Sequence, residues 1–251
     1  MEESKAMDTP FDRPLDGQRA LVTGGGRGIG RGIAEAMAAA GARVAVASRT
    51  REQVERAAAE IDGASGHVFD VADFAGIPAF VDGVEAALGG GITTVVHAAG
   101  AQHRQRAEEF DLDAFRHVIE VNLIAPFALS QEIGRRQLEV ESGGQHIFIG
   151  SLTSFISVPQ ISAYGASKSG VLGLVRSLSS EWSHAGIRVN GIAPGYIRTE
   201  LTEAVFTDED RRRTNLARIP MHRFGEPSDI AGVAVFLASK ASGYVTGQML
   251  P

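Results

Sequence analysis

The sequence predicts an α/β protein: a doubly wound parallel sheet between two layers of helices, as one domain. Short runs rich in valine, isoleucine and alanine alternate with stretches of helical periodicity, the pattern of strands joined by right-handed crossovers. Thirty glycines supply the tight strand-to-helix turns of such a sheet. The 251 residues suit one domain with a large core and are too few for two comfortable ones. We expect that domain over 15–251, after a flexible polar tail over 1–14.

A first strand over 19–22 leads into Thr23-Gly24-Gly25-Gly26-Arg27-Gly28-Ile29-Gly30 and a helical run through Ile33, Ala34, Met37 and Ala38. In a strand, glycine turn and helix of this kind, backbone amides at the helix N-terminus can meet a pyrophosphate, which suggests a dinucleotide site. A second strand over 43–47 ends at Ser48-Arg49-Thr50, about 20 residues beyond the glycines, where an acid would hold a ribose 2′-hydroxyl. No acid is present there. Arg49, with Arg27 in the glycine loop, suits a 2′-phosphate and so favours NADP, with NAD possible. The other reading leaves Arg49 capping a helix or in solvent.

A helix over 52–61 precedes a strand over 67–69 that ends at Asp70-Val71. A helix over 77–88 precedes a strand over 93–96 that ends in His97-Ala98-Ala99-Gly100. One long helix is expected over 112–138, with Asn122 inside it. Asparagine is unfavourable in a helix interior, so it supports a bend, holds a water or faces solvent. A strand over 146–149 delivers Gly150-Ser151. Ligands sit beyond the carboxyl ends of parallel strands, and Asp70, Gly100, Ser151 and Pro194-Gly195 all fall at such ends.

A helix over 161–184 carries Tyr164, thirteen residues after Ser151, and Lys168. Positions i and i+4 share a helix face, so the phenol and the ammonium are expected side by side. A fixed cation favours the phenolate, and lowering a tyrosine pKa from about 10 by three units needs roughly 4 kcal/mol. The choice is between a proton-handling site and an ordinary surface pair. The chain holds only three lysines and three tyrosines. A strand over 188–192 ends at Ala193-Pro194-Gly195-Tyr196. A mobile lid is expected over about 196–216, and a last helix over 227–238.

With Lys+Arg 24 against Asp+Glu 30, the net charge of -6 disfavours a nucleic-acid partner. The absence of cysteine removes disulfides, thiol nucleophiles and thiolate metal sites, so redox chemistry would belong to an organic cofactor. No apolar run reaches a membrane span and no leader is evident, so a cytoplasmic protein without membrane contact is expected. Seven histidines lack metal-ligand spacing, and no metal is expected. His97, His103 and His222 either line the site or sit elsewhere on or near the surface.

Taken together, Thr23-Gly24-x-x-x-Gly28-x-Gly30, Asp70, Ala99-Gly100, Asn122, Ser151, Tyr164-x-x-x-Lys168 and Pro194-Gly195 with Thr199 resemble the short-chain dehydrogenase/reductase family, with its Rossmann-type fold. The resemblance runs from Leu15 to Gln248. It implies a tetrad of Asn122, Ser151, Tyr164 and Lys168. Tyr164 would protonate a substrate carbonyl oxygen that Ser151 orients. Lys168 would lower the tyrosine pKa and bind the nicotinamide ribose, and Asn122 would hold a water linking Lys168 to solvent. Asp70 and Val71 would meet the adenine, and Ile197 and Thr199 the nicotinamide amide. The family also implies a homo-oligomer, a tetramer or dimer.

Within the family, Arg218-Ile219-Pro220, Gly225-Glu226-Pro227-Ser228-Asp229 and Gln102-His103-Arg104 look like the gluconate 5-dehydrogenase and 2-deoxy-gluconate 3-dehydrogenase branch. That would make the substrate a small carbonyl or alcohol, a sugar acid or related oxo compound. Arg104 or Arg198 would then pair its carboxylate, or be surface charge. Other readings are a 3-oxoacyl-carrier-protein reductase and a non-catalytic dinucleotide-binding regulator; a sugar epimerase or dehydratase would need a further domain.

Two features depart from the family. His97-Ala98 stands where it has Asn-Asn, so the fourth strand must be steadied differently. The sequence ends at Leu250-Pro251 where relatives continue through Asp-Gly-Gly, so a shortened final strand is expected.

Overall fold

A computed structural model describes residues 13–199 and 209–251. Of the expected tail, 1–12 lie outside the described residues, and so do 200–208 of the expected lid. Seven parallel strands form one sheet in the order β3-β2-β1-β4-β5-β6-β7: β1 Arg19–Thr23, β2 Arg43–Ser48, β3 Ser65–Val68, β4 Thr94–His97, β5 Gly144–Ile149, β6 Ile187–Ile192 and β7 Met249–Leu250. The helices between them are α1 Gly28–Ala39, α2 Arg51–Glu60, α3 Ile77–Leu88, α4 Leu112–Ile119, α5 Ala125–Glu139, α6 Ser162–Trp182, α7 Glu209–Leu216 and α8 Pro227–Ala238. The Rossmann-type reading of the sequence is the observed fold. No described helix is long and apolar enough to cross a membrane.

Layering follows from strand alternation. Successive side chains point to opposite faces, and both faces are covered, so the inner strands read as continuous apolar runs. Val22, Val46, Val96, Ile147 and Ile149 face Ile33 and Met37 of α1 and Leu237 of α8. Leu21, Ala45 and Val95 face Val81 and Val84 of α3 and Leu129 and Ile133 of α5. Phe148, Ile187 and Val189 pack on Val171, Val175 and Leu178 of α6. The edge strand β3 alternates between half-buried and exposed positions, as an edge should.

The expected helix over 112–138 is broken. Between α4 and α5 the chain makes a π-helical turn, Glu120–Ile124, with Asn122 at its middle and Pro126 just beyond. Asn122 is buried, which removes the solvent-facing reading, and the π-helical turn is the expected bend. The two-residue β7 pairs with Gly191 and Ile192. It is backed by side-chain bonds: Asn190 Oδ1 accepts the Gln248 amide (3.1 Å), and its Nδ2 donates to the Val245 carbonyl (2.8 Å).

The fourth strand is steadied by a buried polar chain. His97 Nε2 lies 2.7 Å from Ser130 Oγ, which lies 3.0 Å from His146 Nδ1. His146 Nε2 lies 3.1 Å from Gln137 Oε1, and Gln137 Nε2 donates to the Ile92 carbonyl (2.9 Å). An amide oxygen only accepts, so His146 carries its proton on Nε2. Its Nδ1 then accepts from Ser130, whose oxygen accepts from His97. This assignment needs both rings neutral. Burial pulls His146 down to about 3, and burial with the nearby His146 takes His97 well below its usual value.

An unfolded chain takes up protons on these rings below about pH 6.5, whereas the folded chain resists. Their contribution to stability is therefore complete above that pH and lost as pH falls toward 3. Urea unfolding at pH 7.5 and 4.5 should show a loss on the order of 2 to 4 kcal/mol at the lower pH. An unchanged midpoint across that window would mean the rings are not buried as neutral groups.

Candidate active site

The carboxyl ends of β1, β2, β4, β5 and β6 open on one cleft of about 260 Å³. Gly24, Arg27, Gly28 and Ile29 come to it from the glycine turn, Ser48 and Arg49 from the end of β2, and Asp70 and Val71 from beyond β3. Ala99 and Gly100 follow β4; Ser151 follows β5; Tyr164 and Lys168 belong to α6; Pro194, Gly195, Ile197 and Thr199 follow β6.

Gly26, Gly30 and Asn122 stand behind this lining. The turn is built for close approach. Gly24 has φ +68°, and a Cβ there would lie 2.7 Å from the Ala98 backbone. A Cβ on Gly30 would lie 2.3 Å from the Gly24 carbonyl oxygen. Only glycine lets α1 start this near to the chain that follows β4.

At the reactive end, three elements are tied by hydrogen bonds. Ser151 heads a 3₁₀ turn, Leu152–Ser154, and its Oγ accepts the Thr153 amide (3.1 Å). Ser154 Oγ donates to the Lys168 carbonyl (2.8 Å), fixing that turn on α6. Lys168 is buried, its Nζ donates to the Ile149 carbonyl (2.7 Å), and the ammonium lies 5.6 Å from the centroid of the Tyr164 ring. Burial draws its pKa down to about 8.

The sequence-based expectation of a phenol lowered by the adjacent cation does not hold in this state. Burial pushes the Tyr164 phenol up, and a hydrogen bond with Ser151 only opposes that shift. The ammonium is spent on a backbone carbonyl and stands over the ring.

Asn122 uses its whole side chain. Its Oδ1 accepts the Ala101 amide (2.8 Å), and its Nδ2 donates to the Ala101 carbonyl (2.9 Å) and to Ser167 Oγ (3.1 Å). Ser167 Oγ in turn donates to the Tyr164 carbonyl (2.7 Å). The asparagine thus laces the loop after β4 to the first turns of α6.

At the other end, Arg49 is exposed, with Nη1 3.9 Å from Asp70 Oδ2. Gln53 and Phe69 also line this end, and sequence reasoning did not single them out. Gln53 sits in the first turn of α2, a position readable from the β2-α2 junction. Phe69 stacks on Phe80 with centroids 4.0 Å apart, which only the tertiary fold could reveal. Neither His97, His103 nor His222 lines the cleft. Arg104 is exposed on the loop held at Ala101 by Asn122 and at Gln105, whose amide donates to the Gln160 carbonyl (2.9 Å). Among the described residues no group of three or more His, Asp or Glu side chains is placed to hold a metal.

The arrangement offers a hydroxyl pair and a buried ammonium at one end, and an arginine-flanked helix N-terminus at the other. Residues 24–251 match the family model described as enoyl-(acyl carrier protein) reductase. A 2-dehydro-3-deoxy-D-gluconate 5-dehydrogenase of Bacillus subtilis (strain 168) is 43% identical over 239 residues, covering 94% of this chain and 93% of the relative.

Among solved structures, a putative 2-deoxy-D-gluconate 3-dehydrogenase from Agrobacterium tumefaciens with bound NADP superposes with a TM-score of 0.87 at 39% identity, covering 95% of this chain and 96% of the other. A gluconate 5-dehydrogenase from Burkholderia cenocepacia J2315, in complex with NADP and tartrate, does so with a TM-score of 0.90 at 37% identity, covering 96% and 95%.

Replacing Asn122 by alanine removes three bonds and leaves the Ala101 amide and carbonyl without their partner. Thermal and urea unfolding should show a loss of roughly 2 to 4 kcal/mol. A change below about 0.5 kcal/mol would mean that the lacing contributes nothing to the fold.

Proposed function

Because the chain belongs to the short-chain dehydrogenase/reductase family, we propose that it interconverts a secondary alcohol and a ketone with NADP, on a sugar acid or a related small oxo compound. The observation that carries the reading is the single cleft, with Ser151, Tyr164 and Lys168 at one end and Arg27 and Arg49 at the other. The glycine cradle, which side chains would fill, and the arginine pair fit a pyrophosphate and a 2′-phosphate.

Bound NADP would supply the hydride in reduction and take it up in oxidation. The chain's own residues handle the oxygen. A carbonyl oxygen between Ser151 and Tyr164 would accept hydrogen bonds from both hydroxyls, which lowers the cost of charge gathering there. The Tyr164 phenol, kept protonated by burial, is a ready donor of the proton that completes the alcohol. Lys168, fixed on Ile149, would meet the ribose and offset the charge left on the phenolate. Asn122 acts through position, by holding the loop after β4 against the helix that carries Tyr164.

Arg104, exposed on the loop that follows β4, is the residue we assign to a substrate carboxylate, as a planar fork of donors suits one. A homo-oligomer would cover the exposed Leu112, Ile124 and Tyr244.

The test is a spectrophotometric panel of gluconate, 2-deoxy-gluconate, ketogluconates and an acetoacetyl thioester with NADPH and NADH or their oxidised forms. The thioester is included because of the acyl-carrier description of the family model. Turnover of a sugar acid supports the proposal, and turnover of the thioester alone would replace it with an acyl reductase. Tyr164→Phe should lose about 10²- to 10⁴-fold in kcat on the best substrate while still binding NADPH. Wild-type rates in that variant would remove the phenol from the reaction.

Arg49→Gln should weaken NADPH by about tenfold or more and leave NADH nearly unchanged. Equal losses for both cofactors, in titrations of their fluorescence, would disconnect Arg49 from the 2′-phosphate.

A further inference from the structure

The loop that leads into α8 carries an ion pair that spans six residues, where the pairs along the helices are i,i+3 or i,i+4. Arg223 reaches both oxygens of Asp229, Nη1 to Oδ2 at 2.7 Å and Nη2 to Oδ1 at 2.8 Å. Nη1 also donates to the Phe224 carbonyl (3.2 Å), and Asp229 Oδ2 accepts the Glu226 amide (2.8 Å). The carboxylate thus takes three N–H groups and closes residues 223–229 into a compact knot.

Two walls of the cleft rest on this knot. On one side, the Gly225 amide donates to the Tyr196 carbonyl (3.0 Å), and the Arg198 amide donates to the Gly225 carbonyl (2.8 Å). Ile197 and Gly225 thereby form a parallel bridge, and the rings of Tyr196 and Phe224 meet edge to face. The fit is tight: a Cβ on Gly225 would lie 2.4 Å from Ile197 Cδ1. Ile197 is buried and, with Thr199, lines the cleft. On the other side, Pro227 opens α8 against Gly32, where a Cβ would lie 2.8 Å from the proline Cβ. Gly32 sits in the helix that begins at the glycine turn.

We propose that the Arg223–Asp229 pair is a positioning clamp for the dinucleotide, holding residues 194–199 in register with the glycine turn through Gly225 and Pro227. The proposal rests on the cofactor reading above. Arg223 is not among the described residues that line the cleft and acts through Ile197. The guanidinium and the Glu226 amide hold the Asp229 carboxyl well below the usual carboxylate range, so the pair stays charged at working pH. An exposed pair adds little to global stability, so the clamp should show in ligand binding rather than in unfolding.

The experiment is titration of the full chain with NADPH, followed by nicotinamide fluorescence, with urea unfolding in parallel. Arg223→Gln should raise the NADPH Kd by roughly 5- to 20-fold with the urea midpoint little changed. Arg223→Lys, which offers a point charge without the fork, should fall between. Arg116→Gln removes an exposed arginine paired with Asp113 on α4, and should bind as wild type does.

An unchanged Kd in Arg223→Gln, or an equal loss in Arg116→Gln, would overturn the clamp. If Arg223→Gln does not fold, Asp229→Asn takes its place with the same expectation, since it keeps an oxygen for the Glu226 amide. Failure of the wild-type chain to bind NADPH would overturn the cofactor reading and the clamp together, whereas wild-type binding with an insensitive Arg223 overturns the clamp alone.

Discussion

The candidate site depends on one buried ammonium. Among the described residues Lys168 has no carboxylate partner; its Nζ is held by the Ile149 carbonyl at the end of β5. Holding it near a pKa of 8, against about 10.5 for a free lysine, corresponds to about 3 kcal/mol in favour of the neutral form. A well-packed apolar residue would avoid that cost, so the charge is kept for what it does at the cleft. The surrounding bonds follow from it. Ser154 fixes the Lys168 carbonyl, which sets Ser151 beside α6; Ser167, one residue earlier, carries the link to Asn122.

Much of this was legible in the sequence, and for a physical reason. Parallel strands buried on both faces read as apolar runs, and their carboxyl ends share one rim, so Asp70, Gly100, Ser151 and Pro194 could be placed together before any coordinates. The i,i+4 spacing put Tyr164 and Lys168 on one face. Spacing says nothing about direction or partners, however. It did not show that the ammonium would be taken by Ile149, nor that burial would outweigh the cation at the phenol.

The rest was hidden because it consists of polar groups far apart in the chain. The break in the long helix at Asn122 was foreseen only as one of three readings, since its partners, Ala101 and Ser167, lie 21 and 45 residues away. His97 looked like a candidate for the site from its place after a strand. In the fold it turns inward and joins Ser130 and His146, so a departure from the family pattern is repaired by a different set of bonds. In sequence Asp229 belonged to a stretch that resembled a branch of the family, and nothing there paired it with Arg223.

The lacing by Asn122 also bears on how the molecule comes to be folded. Its three bonds join the loop after β4, the turn between α4 and α5, and the start of α6, segments that only the assembled sheet brings together. Contacts between such distant parts of the chain form late, after shorter loops have closed. Competence to bind is then an all-or-none property of the finished molecule, and a ligand that selects it draws the whole chain, rather than any one segment, toward the native state.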